Sequence, residues 1–448
     1  MPVNIPSSLL NSLASATGFD AKAFLAVHEE KSALTSIRLN PKKPFEFLEK
    51  GTPVPWSGFG YYLASRPSFT FDPLFHAGCY YVQEASSMLL EQVLKQWGGL
   101  SKSLRVLDLC AAPGGKSTHI QSLLNENSFL VSNEVIRSRA SILKENIIKW
   151  GVSNVVVTNN DPEDFEKLGT FFDVIVVDAP CSGSGLFRKD EEAITEWSED
   201  NVQLCSMRQR RILASAWKAL KPGGLMIYST CSFSLQEDEV VANWLVNEFK
   251  AIPMNVQLQE EWGWTKTSIG YRAWPYNVKG EGFYLACVLK ADQDEVENIS
   301  VPKLKHATLT KAEKSFVEEW MLVDEFFLFK VNQTVFAWPT KFLDSFSILL
   351  NQMQVVYSGI KVGELVRNKL VPDHALAMSG KCNARITSLE LDKEQAIKYL
   401  QKKELGEVSG GMGWHLVCYQ GNPLGWANKL AGRINNYYPK ELRILKDL

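Results

Sequence analysis

From about residue 101 the chain alternates between short apolar runs and longer amphipathic segments. The strand-like runs, rich in β-branched residues, lie at 104–109, 129–134, 154–158, 173–177 and 225–230. Helical patterns follow them at about 115–124, 136–150, 201–219 and 236–249. Strands that alternate with helices form mostly parallel sheets covered by helices on both faces. The sequence therefore predicts an α/β fold.

Composition changes divide the remainder of the chain. A polar segment with a proline at 291–305 is a candidate domain boundary. We predict four parts: an N-terminal α+β region at 1–85, the α/β domain at 86–292, a connecting α+β domain at 293–356 and a β-rich module at 357–448. The connecting domain is predicted to contain a helix at 311–321 and a hairpin that joins 326–330 to 334–338.

The bulk composition excludes several classes of protein. The chain has 448 residues, 45% hydrophobic and 22% charged, as in folded soluble proteins. No apolar run is long enough to span a membrane, and the N-terminus lacks the pattern of a signal peptide. The eight cysteines form no CxxC pair and histidine is sparse, so we expect no metal site. Scattered cysteines indicate a reducing, cytoplasmic setting.

Charge is distributed unevenly along the chain. Residues 357–448 carry 14 Lys and Arg against 9 Asp and Glu, a net charge of +5, whereas the whole chain has a net charge of −2. A basic module on an acidic body is compatible with RNA binding, although many solvated surfaces have the same composition.

The run at 173–177 ends in Asp178-Ala-Pro-Cys181. Pro180 cannot continue a sheet ladder, so the strand must stop there, and Gly183 and Gly185 predict a flexible loop. An acid and a thiol are thus expected at the carboxyl end of a strand, where open α/β sheets bind ligands. The alternative is that Cys181 is a small buried apolar residue.

A glycine-rich loop, Cys110-Ala111-Ala112-Pro113-Gly114-Gly115-Lys116, follows the first strand. Such a loop lets the backbone approach a ligand closely at a helix N-terminus. A P-loop would need glycine where Cys110 stands, and a dinucleotide fingerprint would need GxGxxG, which is absent. The third candidate is the loop of an S-adenosylmethionine-dependent methyltransferase.

Acidic residues follow three successive strand ends. Glu134 lies about 20 residues after the loop, where an acid can bind ribose hydroxyls. Asp161 could meet the adenine amino group, and Asp178 lies at the same predicted edge of the sheet. Each acid could instead be a helix cap or a turn residue, but their common register with the loop favours a ligand.

Cys231 follows the fifth strand, which we expect to neighbour the fourth. Cys181 and Cys231 would then face one site near the cofactor's methyl group. The chemistry that needs a thiol there is methylation of carbon 5 of a pyrimidine. A thiolate that adds to carbon 6 makes carbon 5 nucleophilic, and loss of the carbon-5 proton then releases the thiol. Either cysteine could be the nucleophile on chemical grounds.

These motifs resemble the RNA cytosine-5 methyltransferases of the Sun/Nol/Nop family, and within it the RsmF-like branch. The resemblance covers 80–87, 110–116, 178–183 with Gly185 and Arg188, 229–232, 272–275 and 280–283. It extends to 413–421, 423–426 and 433–439, which resemble the PUA-like module of that branch. It implies a Rossmann-like class I methyltransferase sheet with a small N-terminal RNA-binding region and a C-terminal PUA-like RNA-binding module.

The resemblance also implies roles for individual residues. Cys231 is expected to be the nucleophile, Cys181 to assist release of the methylated base, and Asp178 to contact the base. The cofactor, S-adenosylmethionine, is expected to contact residues 110–116, Glu134, Asp161 and Asp178.

We therefore predict an enzyme that methylates cytosine in RNA, with small-subunit ribosomal RNA, free or in the 30S subunit, as its substrate. The alternatives are transfer RNA as substrate, or a non-catalytic ribosome-assembly factor that binds RNA. We expect a cytoplasmic monomer with no metal and no membrane partner.

Overall fold

A computed structural model of the chain describes residues 5–30, 34–45, 51–292, 300–304, 306–406, 408 and 410–447. Most of the polar segment predicted as a domain boundary, namely 293–299 and 305, lies outside the described residues, as do residues 1–4 of the N-terminus.

The N-terminal region combines short helices with a small antiparallel sheet. Its elements are α1 (Ser7–Leu13), α2 (Ala21–Glu29), β1 (Thr35–Leu39), β2 (Thr52–Pro53), β3 (Gly60–Leu63), α3 (Pro73–His76) and β4 (Tyr80–Val82). The strands pair in the order β2-β3-β1-β4. Asp20 begins α2 by accepting a hydrogen bond from the Ala23 amide, and Asp72 accepts in the same way before α3.

The central domain is built on parallel strands. Its elements are α4 (Leu90–Trp97), β5 (Arg105–Asp108), α5 (Gly115–Leu123), β6 (Phe129–Asn133), α6 (Arg137–Trp150), β7 (Val155–Thr158), β8 (Phe172–Asp178), α7 (Glu191–Glu196), α8 (Glu199–Ala219), β9 (Leu220–Thr230), α9 (Glu239–Phe249), β10 (Ile252–Pro253), β11 (Thr265–Lys266), β12 (Tyr271–Ala273) and β13 (Phe283–Leu289). β5 to β9 pair in parallel in the order β7-β6-β5-β8-β9, and β13, β12 and β11 extend the sheet antiparallel beyond β9.

The parallel strands are buried on both faces. Side chains of α4, α5 and α6 pack on one face, and those of α8 and α9 on the other. The predicted mostly parallel sheet with helices on both faces is therefore confirmed. The strand order reverses between β5 and β8, and this is where open α/β sheets bind ligands at the carboxyl ends of the strands.

The next segment forms a second antiparallel sheet. Its elements are β14 (Ala307–Thr308), α10 (Lys311–Glu318), β15 (Phe326–Val331), β16 (Thr334–Pro339), α11 (Leu343–Gln352), β17 (Val355–Ser358), β18 (Ile360–Val366), β19 (Lys369–Pro372) and α12 (His374–Met378). The order β14-β15-β16-β18-β19 contains the predicted hairpin. β17 instead pairs antiparallel with β7 at the edge of the central sheet.

The boundary predicted at 356/357 thus falls inside a strand. β18 and β19, assigned from the sequence to the last module, are hydrogen-bonded to β16 and to each other. The difference arises because the residues of a strand do not by themselves specify the strand with which it pairs.

The C-terminal module contains β20 (Ser388–Glu390), α13 (Lys393–Leu400), β21 (Gly413–Tyr419), β22 (Asn422–Leu430) and β23 (Arg433–Asn436), with the strands in that order in one sheet. Its core is shared with the N-terminal region, because Tyr399 and Leu424 belong to the same apolar cluster as Leu74 and Tyr80. The two ends of the chain therefore pack together.

Within the described residues, no helix is both long and apolar enough to cross a membrane. In the same part of the chain, no three His, Cys, Asp or Glu side chains converge as metal ligands would. The eight cysteines are all free thiols.

Candidate active site

The glycine-rich loop connects the end of β5 to the start of α5. Gly114 adopts a φ of +114°, in the region that favours glycine, so a side chain there would strain the backbone. A side chain at Gly115 would lie 3.4 Å from the Tyr81 ring. The loop therefore presents its backbone, at the N-terminus of α5, to the space beside β4.

That space is a pocket. Its lining consists of Tyr81, Val82, Gln83, Glu84, Ser87, Cys110, Ala111, Ala112, Pro113, Gly115, Lys116 and Asp178. Most of the predicted cofactor contacts are thus brought together with a strand of the N-terminal region. Gly114, Glu134 and Asp161 are not among the lining residues.

Asp108, the last residue of β5, lies fully buried behind the loop. Its Oδ2 accepts a hydrogen bond of 2.7 Å from Ser117, whereas its Oδ1 has no partner among the described residues. Burial raises the pKa of this carboxyl to about 7. A buried acceptor without a donor fits a ligand with an ammonium group, as S-adenosylmethionine has.

Glu134 lies just after β6, and its side chain is buried. One carboxylate oxygen accepts from the Ile136 amide at 2.9 Å, and the other lies 3.6 Å from Arg139. Arg139 also donates to the Ala112 carbonyl at 2.9 Å. Glu134 is therefore both a turn acid before α6 and a residue linked to the loop through Arg139.

Asp161 is placed differently. It accepts from the Glu163 amide at 3.1 Å and so caps the 3-10 helix Pro162–Leu168. Its carboxylate also lies 3.0 Å from Arg211 and is half-exposed. The Asp161 carboxylate thus caps a 3-10 helix and forms a surface ion pair. Its contact with adenine stays a prediction.

Asp178 ends β8 and faces two partners. Lys116 Nζ lies 2.8 Å from its Oδ2, and Ser229 Oγ donates to its Oδ1 at 2.8 Å. The ion pair joins the glycine-rich loop to the Asp178-Ala-Pro-Cys181 segment. Lys116 was predicted as a cofactor contact, and its pairing with Asp178 was missed.

The two cysteines meet beyond this pair. β8 and β9 are neighbours, with Asp178 opposite Ser229, so Cys181 and Cys231 leave the sheet side by side. Their sulfur atoms are 3.0 Å apart. The contact with Cys231, and then burial, raise the pKa of the Cys181 thiol well above its usual value. The two thiols thus lie side by side, and their roles in one site stay a prediction.

Comparison with known proteins identifies the family. The chain is 32% identical over 412 residues to "Ribosomal RNA small subunit methyltransferase F" of Aeromonas salmonicida (strain A449), an alignment that covers 87% of this chain and 84% of the relative. The chain belongs to the RsmF family. The protein of the same name from Shewanella oneidensis (strain ATCC 700550 / JCM 31522 / CIP 106686 / LMG 19005 / NCIMB 14063 / MR-1) is 31% identical, again with 87% and 85% coverage.

Three family profiles match successive parts of the chain. Residues 99–289 match "16S rRNA methyltransferase RsmB/F", 5–85 match the "N-terminal domain of 16S rRNA methyltransferase RsmF", and 386–444 match the "Methyltransferase RsmF PUA domain". The predicted resemblance and the predicted fold, including the PUA-like module, are thereby confirmed.

A solved structure supports the fold. The methyltransferase homologue protein from Pyrococcus horikoshii has a TM-score of 0.50 and 26% sequence identity, and the match covers 64% of this chain and 100% of that chain. This RsmF-family protein is an enzyme, a methyltransferase that uses S-adenosylmethionine.

Sequence reasoning missed several residues of the site. Asp108 was passed over as a strand residue, although an acid at the carboxyl end of the first strand was a usable signal. Tyr81 and Gln83 belonged to a motif of the resemblance without an assigned role, because nothing in the sequence shows that β4 borders the loop.

Proposed function

We propose that this protein transfers a methyl group from S-adenosylmethionine to carbon 5 of cytosine in small-subunit ribosomal RNA. The observation that carries the proposal is the pair of thiols 3.0 Å apart, at the ends of β8 and β9. A methyltransferase acting on an exocyclic amine needs no thiol, whereas carbon 5 of cytosine is a poor nucleophile until carbon 6 has been attacked.

In this mechanism the Cys231 sulfur bonds to carbon 6 of the base, and the electron pair displaced from the ring makes carbon 5 nucleophilic. Carbon 5 accepts the methyl group supplied by S-adenosylmethionine. A base then removes the carbon-5 proton, the electron pair left behind re-forms the double bond of the ring, and sulfur leaves carbon 6 as a thiolate.

The two thiols have different tasks in this proposal. Cys231 attacks, and Cys181 assists elimination. These are the roles that the family resemblance implies for the cysteine after Thr230 and the cysteine after Pro180. Asp178, held by Lys116 and Ser229, would contact the ring nitrogen of the base.

The choice of substrate rests on the relatives and on charge. The RsmF relatives are named for small-subunit ribosomal RNA. Residues 357–448 include the PUA domain and carry a net charge of +5, so they would contact the phosphates of the RNA. Mapping 5-methylcytosine in ribosomal RNA from cells with and without the gene tests this choice, and an unchanged small-subunit map would contradict it.

We further propose that the protein acts in the cytoplasm as a monomer on the 30S subunit. Free thiols at all eight cysteines suit a reducing compartment. Light scattering of the purified protein measures its oligomeric state. A comparison of the methylation rates of naked RNA and of isolated 30S subunits identifies which of the two is the substrate.

Substitution of each cysteine tests the chemistry. Cys231→Ala should form neither an adduct nor a product. Cys181→Ala should attack and methylate but release the base slowly, so that protein stays attached to RNA in denaturing electrophoresis until ribonuclease is added. Cys287→Ala, in buried β13 away from the site, is the matched control and should behave as the wild type.

Two results would contradict the assignment. If Cys231→Ala accumulates the adduct and Cys181→Ala does not, the roles of the thiols are reversed. If both variants methylate RNA at the wild-type rate, carbon-5 chemistry is excluded.

A further inference from the structure

A buried carboxylate lies between the two cysteine-bearing segments. Glu237 is in the turn between β9 and α9, and its side chain is completely buried. Burial raises its pKa, while hydrogen bonds from its neighbours oppose that shift. A buried acid in this position must be held by donors, because an unpaired carboxylate in the interior is strongly disfavoured.

The donors come from the residue that follows each cysteine. Ser182, next to Cys181, donates its amide to Glu237 Oε1 at 2.7 Å and its hydroxyl to Oε2 at 2.5 Å. Ser232, next to Cys231, donates its hydroxyl to Oε2 at 2.6 Å. A single carboxylate thus connects the segment after β8 to the segment after β9.

The same carboxylate is connected to the scaffold. Gln209 of α8 donates to Glu237 Oε1 at 3.4 Å and to the Pro180 carbonyl at 3.0 Å. Tyr228 of β9 in turn donates to Gln209 Oε1 at 3.0 Å. We call the hydrogen-bonded set Ser182, Glu237 and Ser232 the bridge. Through Gln209 and Tyr228, the bridge is connected to α8 and to the sheet as well as to the two segments after the strands.

We propose that Glu237 is a positioning residue that holds Cys181 and Cys231 in register for covalent attack on the base. The proposal rests on the proposed function, since it concerns the geometry of that reaction. Glu237 acts through Ser182 and Ser232, and no described hydrogen bond joins its carboxylate to either sulfur. A displacement of about 1 Å at a reacting group lowers rates on the order of 100-fold, so a bridge of this kind controls the rate of attack.

The charge of Glu237 acts in addition on Cys181. A negative carboxylate nearby disfavours the thiolate and contributes to the raised pKa of that thiol. Removal of the charge should therefore extend the pH range in which Cys181 is deprotonated towards lower pH. This effect distinguishes Glu237 from a residue that only fills space.

The test uses the full-length protein and RNA containing 5-fluorocytosine, in which fluorine replaces the proton that must leave, so that the adduct accumulates. Glu237→Ala should lower the rate of adduct formation about 100-fold and leave the dissociation constant for S-adenosylmethionine unchanged. Glu237→Gln keeps the shape and part of the bridge, and should recover most of that rate. With unmodified cytosine, where release depends on Cys181, Glu237→Gln should shift the pH profile of release to lower pH.

Glu91 provides the matched control. It is equally buried, within α4, and is hydrogen-bonded to Ser57, His119 and Lys95, which lie outside the two segments that carry the cysteines. Glu91→Gln should lower the melting temperature without changing the rate of adduct formation.

Should Glu237→Ala not yield folded protein, Ser232→Ala and Ser182→Ala each remove one arm of the bridge. Ser232→Ala should then slow adduct formation, and Ser182→Ala should slow release from unmodified cytosine.

The outcomes separate the two proposals. Adduct formation at the wild-type rate in Glu237→Ala, or in Ser232→Ala where Glu237→Ala does not fold, would overturn the positioning role alone. The absence of any adduct from the wild type would overturn the proposed function, and the positioning role with it.

Discussion

Burial of the Asp108 carboxyl lowers the stability of the fold, although it leaves an acceptor that a ligand can use. Its carboxyl is fully buried with one oxygen unpartnered, and its pKa is raised from 3.8 to about 7. The folded protein thus holds a proton that the unfolded chain has lost between about pH 4 and pH 7. Stability must therefore fall as the pH rises through this range.

The first prediction concerns this proton. Asp108→Asn removes the titration, so the variant should gain stability relative to the wild type, and the gain should be larger at pH 8 than at pH 5 by on the order of 2 kcal/mol. Urea denaturation at both pH values measures the difference. Asp324→Asn, at an exposed position, is the control. An equal gain at both pH values would show that Asp108 is ionised in the fold.

The second prediction concerns Glu134. Glu134→Ala should weaken the binding of S-adenosylmethionine by about 1.5–3 kcal/mol, because the carboxylate would accept charge-assisted hydrogen bonds from ribose. Calorimetry measures the affinity. Asp161→Ala is the comparison: loss of its cap should lower stability by about 1 kcal/mol, and an affinity loss as large as that of Glu134→Ala would show that Asp161 reaches the ligand.

The meeting of Cys181 and Cys231 could be predicted because sequential strands tend to be neighbours and parallel strands end at one edge. The partners of the site residues could not. The ion pair between Lys116 and Asp178 joins the start of α5 to the end of β8, and Glu237 depends on a turn that brings it back to Ser182. Such contacts follow from loop conformation, which periodicity does not describe.

Among the elements, β1 and α5 are joined by one buried cation. Arg38 of β1 donates to Thr118 at 2.6 Å and to Ser122 at 3.0 Å, both in α5, and to Gln83 at 2.8 Å. Its guanidinium also lies 4.6 Å from the centre of the Trp150 ring. Because α5 begins at the glycine-rich loop, the hydrogen bonds of Arg38 hold the helix that follows the loop against the N-terminal sheet.

The third prediction follows from this contact. Arg38→Met should lower the free energy of unfolding by about 2–4 kcal/mol, because the buried acceptors lose their donor, and it should weaken cofactor binding. Arg66→Met, an exposed arginine over Phe69, is the control and should change neither quantity appreciably. Denaturant unfolding and calorimetry on the two variants decide whether the docking of β1 matters.

The central strands and helices lie close to their predicted positions because each is a continuous apolar or amphipathic segment. β17 was not predicted as part of the central sheet. It pairs with β7 across about 200 residues of sequence, as in the contact of Val355 with Thr158, and nothing in its own residues specifies that partner.

On the scale of the molecule, the C-terminal residues contribute to the cores of the other regions. Tyr357 and Ala375 belong to the apolar cluster on one face of the central sheet, and Leu424 belongs to the cluster shared with the N-terminal region. Loss of the last module would expose these faces, and buried apolar area contributes about 25 cal/mol per Å² to stability.

The fourth prediction concerns truncation. A chain that ends before Tyr357 loses half of β17 and should be poorly soluble or unfold at a much lower temperature. A chain that ends at Arg385 keeps β17, β18, β19 and α12 but loses the side chains that pack on Leu74 and Tyr80. It should melt below the full-length protein and above the shorter chain, bind cofactor and lose RNA affinity. Thermal melts and cofactor titration of the two chains check this, and equal stability of the two would contradict a structural role for residues 357–385.

The proximity of the Cys181 and Cys231 sulfur atoms, 3.0 Å apart, also makes the site sensitive to oxidants. Peroxide would convert one thiol to a sulfenic acid with release of water, and the second thiol would displace a further water to form a disulfide. Both reactive groups would then be consumed together, while the glycine-rich loop stayed intact. Peroxide treatment should therefore abolish methyl transfer but not cofactor binding, and a dithiol reductant should restore activity.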